Sequence, residues 1–196
     1  MSSKKIRNTA LRLFTEHGYE GTSLADISEI VGIKKSSIYN HYKSKDDLYI
    51  SIFESSSQSS LALIRDLFTD TYKMDYATLI RQILDKVVSL FPTHFETRFL
   101  FRFICYPPEH LRPQVEDVVQ NYLTSIANQL VEAIMENLQT TSKQQAELFA
   151  MHFRILIYGL YTQYLCSGEN PSSETLDYFA TALTVNVKPG GILSHV

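Results

Sequence analysis

The stretch Thr22–Lys45, TSLADISEIVGIKKSSIYNHYKSK, constrains this chain more than any other. It divides at Val31-Gly32-Ile33 into two short helical patterns. In the first, Leu24, Ile27 and Val31 recur at helical spacing, Ser23 stands where an N-cap belongs, and Asp26 follows as its acidic partner. Gly32 permits the sharp turn that a residue with a Cβ resists. The second pattern, from Lys34 to Tyr42, has few apolar anchors, Ile38 above all. Its other positions are Lys, Ser, Tyr, Asn and His, all hydrogen-bond donors. A helix held by so little and covered with donors is suited to press on something polar. Helix, tight turn and donor-rich helix together make a helix-turn-helix, whose second helix enters the DNA major groove.

The net charge of −3 argues against nucleic acid when taken alone, but its distribution does not. Residues 1–45 carry eight Lys/Arg against four Asp/Glu, and the rest of the chain carries ten against seventeen. A basic head on an acidic body binds phosphate through the head while the body stays away from it. The 196 residues suit a small domain plus a larger one, and 44% apolar residues suffice for a sizeable core. No apolar run reaches the length of a membrane span and the N-terminus lacks a signal-peptide core, so the expected location is the cytoplasm. Cys105 and Cys166 form no CxxC pair and read as reduced thiols. Nothing in the pattern calls for a cofactor or a metal, and no nucleophile elbow, HExxH or clustered His/Cys/Asp set marks an enzyme.

The remaining segments read as helices throughout. Ile6, Thr9, Ala10, Leu13 and Phe14 make one apolar stripe that Gly18 ends, leaving Lys4, Lys5 and Arg7 near the DNA backbone. Ser44, with Asp47 at the capping-box position, opens a helix to Phe68 that passes through the serines of 55–60. At roughly 1.5 Å per residue it is about 37 Å long, a lever between two domains. Further helices cover 76–91, 94–106, 111–138, one after Ser142, and one from Ser172 or Ser173 through Val187. No strand pattern occurs. The expected fold is all-α with about nine helices: a three-helix head over 1–47, a helical domain over 48–188, and a tail over 189–196.

GYEGTSLADISEIVGIKKSSIYNHYKSKDDL resembles the DNA-binding head of TetR-type transcriptional regulators. Gly18-Tyr19, Thr22-Ser23, Asp26-Ile27, Gly32-Ile33, Lys35, Ser37, Ile38-Tyr39, His41-Tyr42 and Ser44-Lys45 to Leu48 carry the likeness. Lys34 stands where the family often has Ser, and Ser36 where it often has Gly. The resemblance covers about a quarter of the chain; the rest matches only in layout. It implies a ligand-responsive repressor that binds a palindromic operator as a homodimer. The alternative is a helical protein-interaction module that does not bind DNA.

The resemblance places Tyr39, His41 and Lys45 on the DNA backbone, and the dipole of the 23–31 helix, with Thr22 and Ser23, adds an anion site. Lys34, Lys35, Ser36, Ser37 and Asn40 are candidates for base edges. Tyr39 and His41 are also compatible with packing between helices, and Ser37 with close helix approach. For a hydrophobic or aromatic ligand bearing an anionic group, the candidates are His94, Arg98, Phe99, Arg102, Phe103, Tyr106, His152 and Tyr158. The last two helices offer a four-helix dimer contact through Phe153, Ile157, Leu160, Tyr164, Leu176, Phe179 and Leu183.

Overall fold

The computed structural model describes residues 3–67, 76–137 and 142–185. Phe68, Leu138, Val187 and the 189–196 tail, which the sequence reading used, lie outside them. Among the described residues every regular element is helical: α1 Ser3–His17, α2 Leu24–Val31, α3 Lys35–Tyr39, α4 Lys45–Leu67, α5 Tyr76–Leu90, α6 Phe95–Cys105, α7 Arg112–Asn137, α8 Lys143–Ser167 and α9 Ser173–Val185. A single 3₁₀ turn, Glu109–Leu111, leads into α7.

The helices gather into two compact units. One holds residues 1–60 and 94–122, the other 61–93 and 123–196. The 94–122 segment therefore packs with the head helices, although the sequence reading placed it in a 48–188 domain. α4 and α7 each contribute residues to both units.

In the first unit Ile6, Ala10 and Phe14 of α1 lie fully or almost fully buried, as do Ile27 of α2, Ile38 of α3 and Leu48, Tyr49, Ile52 and Phe53 of α4. Tyr49 is the hub. Its ring centroid lies 5.5 Å from Phe14, 5.3 Å from Tyr19, 5.4 Å from Phe99 and 5.3 Å from Phe103. Each buried side chain of this size contributes about 1.5–3 kcal/mol by leaving water, and each well-placed aromatic pair about 0.5–1.5 more. Burial also raises the Tyr49 phenol above its ordinary pKa.

The serines of α4 remain helical because their hydroxyls bond back to the turn before them. Ser57 donates to Phe53 O at 2.9 Å and Ser55 to Ile52 O at 3.1 Å. Ser60 instead shares a buried hydrogen bond of 2.7 Å with the Tyr122 hydroxyl of α7.

In the second unit α5 packs along α9. Arg81 of α5 donates to Asp177 at 2.6 Å and to Ser173 at 2.9 Å, and pairs with Asp85 as well. Phe91, fully buried, sets its ring 5.1 Å from Tyr161 and 5.9 Å from Tyr164 of α8. α8 begins with a capping box in which Ser142 and Gln145 exchange backbone bonds.

Candidate nucleic-acid interface

The α2–α3 corner is built by three local devices. The Ser23 hydroxyl accepts from Asp26 N at 3.2 Å, while the Asp26 carboxylate accepts from Ser23 N at 2.8 Å. Those bonds, the backbone one foremost, hold the Asp26 carboxyl below its ordinary pKa. The first intrahelical bond is Ile27 N to Ser23 O, so the amides of Leu24 and Ala25 face out of the helix start. At the other end Gly32 adopts φ 77° and ψ 39°, the left-handed conformation, with its N–H bonded to Glu29 O and Ser28 O.

α3 then starts from an extended Lys34 whose side chain makes no cap bond. The helix is one residue longer than a turn, ends at Tyr39, and buries Ile38 alone. Lys34, Lys35, Ser36, Asn40 and His41 are exposed, Ser37 is half-buried, and Tyr39 is 51% exposed. The structure therefore gathers these seven predicted residues on one donor-rich outcrop of the head.

Two other predicted residues face inward. Thr22 is 2% exposed, and its hydroxyl donates to Gly18 O at 2.9 Å. Lys45 donates to Tyr19 O at 2.7 Å and Thr22 O at 2.9 Å, with its ammonium 3.9 Å from the Tyr19 ring centroid. The Tyr19 hydroxyl in turn donates to Asp46, and burial with that neighbouring carboxylate raises the Tyr19 pKa. Lys45 and Asp46, at the start of α4, thus bolt down the loop that presents Ser23. The expected Ser44–Asp47 box is also displaced. Asp47 N donates to Ser44 Oγ at 3.0 Å, but the Asp47 carboxylate accepts from Lys43 N at 2.7 Å rather than from Ser44.

The ligand candidates do not gather into one cluster. His94 caps α6, accepting from Thr97 N at 3.3 Å, and Phe99 and Phe103 are buried in the Tyr49 cluster. Arg98 lies 5.2 Å from the Phe95 ring centroid and its buried Nε has no hydrogen-bond partner. Arg102 is committed elsewhere, donating through Nη1 to Thr15 O at 2.7 Å at the end of α1. Tyr106 is 81% exposed. His152 and Tyr158 belong to the other compact unit. Among the described residues no group of three His, Cys, Asp or Glu could hold a metal, and no helix is long and apolar enough to cross a membrane.

Residues 6–52, the whole corner with its supporting helices, match the family model described as bacterial regulatory proteins, tetR family. The chain belongs to the TetR family. It is 30% identical over 131 residues to the biofilm operon icaADBC HTH-type negative transcriptional regulator IcaR of Staphylococcus epidermidis, a match covering 65% of this chain and 66% of that protein. It is 32% identical over 104 residues to the HTH-type transcriptional regulator AcrR of Shigella flexneri, covering 53% of this chain and 48% of that one. The match thus spans about two thirds of the first relative and about half of the second. The crystal structure of the transcriptional regulator FadR from Bacillus subtilis in complex with stearoyl-CoA has the same fold, with a TM-score of 0.68 at 18% identity over 95% of this chain and 98% of that one.

In this TetR-family chain, most of the residues picked for dimer contact are already covered within the protomer. Phe153, Ile157, Leu160, Leu176 and Leu183 are all 8% exposed or less, and Tyr164 and Phe179 are half-buried. The apolar residues left open on α8 and α9 are Met151, Ile155, Leu165 and Tyr178, the last 69% exposed. Met151, Ile155 and Gly159 follow at i, i+4 and i+8 on one face of α8, with open space beside the Gly159 Cα. The reading of 148–165 as apolar on almost every side was sound about composition. It could not say which side meets the protomer's own α5.

Proposed function

We propose that this protein is a cytoplasmic DNA-binding repressor that grips a palindromic operator as a homodimer. A small hydrophobic ligand bearing an anionic group releases it. The observation that carries the reading is the α3 outcrop: one buried anchor, Ile38, beneath exposed donors, held by the Gly32 turn. Lys34, Lys35, Ser36, Ser37 and Asn40 are assigned to base edges, lysine toward guanine and asparagine toward adenine. Ser23, Tyr39 and His41 are assigned to phosphates, which set register. Thr22 and Lys45 act behind the surface as its supports.

Two copies pair through the open face of α8 and α9 around Ile155 and Tyr178, which supplies the symmetry a palindrome needs. Of the two arginines considered for the ligand's anionic group, Arg98 is the one with a donor to spare. The ligand acts by preferring a dimer whose heads depart from the roughly 34–36 Å spacing of successive major grooves, and shifts the balance only by its differential affinity. Selection of bound duplexes from a random pool tests the reading. A palindrome with half-sites one helical turn apart supports it, and recovery of no common sequence at any salt concentration contradicts it.

A further inference from the structure

A recess on the head has no part in the α3 outcrop. It encloses about 550 Å³ and is lined by Lys4, Lys5, Asn8, Thr9 and Arg12 of α1 and by Ile30 of α2. Lys4, Asn8 and Arg12 follow at i, i+4 and i+8, so they form one exposed row along α1. No acidic residue lines it. Ile30, 48% exposed, gives it an apolar wall.

The placement of these cations is unfavourable for the helix itself. Lys4 and Lys5 sit in the first turn of α1, where the helix dipole repels positive charge, and that turn contains no acid to offset them. A solvated helix face chosen for stability would carry the opposite sign there. The recess is also tied to the recognition corner. Lys5 Nζ donates to Val31 O at 3.0 Å, the residue before Gly32, so the row begins beside the turn from which Lys34, Lys35 and α3 start.

We propose that this cleft seats the phosphate backbone of the same duplex that α3 enters, giving each head a second, sequence-independent grip. The inference rests on the repressor reading above. Lys4, Asn8 and Arg12 donate to phosphate oxygens, and Ile30 packs against the sugar edge. Lys5 holds the cleft against the α2–α3 turn.

The test compares wild type with a Lys4→Gln, Arg12→Gln double variant on a duplex selected by the wild-type protein. Each phosphate contact contributes about 0.9 to the slope of log affinity against log salt. The double variant should lose about 2 units of slope per head, and its deficit should shrink about tenfold between 50 and 200 mM salt. Its order of preference among duplexes stays unchanged. Its melting temperature equals or exceeds that of wild type, because the clash with the helix dipole is relieved. An unchanged slope overturns the proposal, and so does an altered base preference, which would mean that the row acts through α3. If Lys35→Glu abolishes binding while the double variant matches wild type, the cleft assignment alone falls. If wild type binds no duplex, both readings fall together.

Discussion

Replacing Arg102 by methionine removes a single guanidinium that joins α6 to the end of α1. Its Nη1 donates to Thr15 O at 2.7 Å and approaches Glu16 O at 3.5 Å. Those carbonyls belong to the last turn of α1, where no further helical N–H reaches them. A charged donor on a carbonyl is worth about 1.5–3 kcal/mol, and a cation at a helix C-terminus about 0.3–1. The Arg102 side chain is largely exposed, so the lower ends apply and the loss should be about 2 kcal/mol. For a chain of this length that lowers the melting temperature by about 4–8 °C. Gly18 provides an internal control. Its φ of +79° makes alanine unfavourable by roughly 1–2 kcal/mol, and an added Cβ would stand 3.0 Å from Arg102 Nη2. Gly18→Ala should therefore cost more in wild type than in the Arg102→Met background, by about 0.5–1 kcal/mol. Urea unfolding followed by circular dichroism measures all corners of this cycle. An Arg102→Met stability within about 0.5 kcal/mol of wild type, or strictly additive effects, refutes the clamp.

Three further outcomes follow from the geometry. Because Asp26 is held below its ordinary pKa, its cap is fully present above the usual carboxylate range and is lost as pH falls through the lowered folded value. The Ser23 amide resonance should report that acid-shifted titration and become flat in Asp26→Asn; a midpoint at or above the ordinary carboxylate value counts against the box. Ile155→Glu should convert a dimer to a folded monomer in sedimentation, while Ile157→Ala should cost about 2–5 kcal/mol of stability and leave the mass unchanged. A dimer surviving Ile155→Glu excludes that face. Lys45→Gln should lower the melting temperature with no DNA present, since its ammonium holds Tyr19 O and Thr22 O; an unaltered melt would return Lys45 to the surface.

What could be read from the chain was set by how local each interaction is. Ser23 with Asp26, Ser142 with Gln145 and the left-handed Gly32 all act within one helical turn, and each stands where the pattern placed it. The serines of α4 were legible as helix because the segment lacks Gly and Pro, and their hydroxyls bond within the helix. The long-range commitments were not legible. Lys45 reaches carbonyls of the 19–22 loop and Arg102 reaches Thr15, and nothing in the residues around a cation reveals that a distant carbonyl will claim it. The same limit explains the dimer residues. A helix apolar on nearly all sides, as α8 is, carries no periodic signal for which face its own protomer covers. Asn8, Arg12 and Ile30 went unnoticed as a group because their cleft forms only when α1 and α2 are packed.

The central claim is that the α3 outcrop reads DNA, and Lys35→Glu on the duplex selected by wild type tests it most directly. Lys35 is exposed on α3, away from the Ile38 anchor, so the variant should fold with an unchanged melting temperature. The account predicts that sequence-selective retardation of the duplex disappears at every salt concentration. Retention of wild-type affinity and selectivity by the folded variant would contradict it.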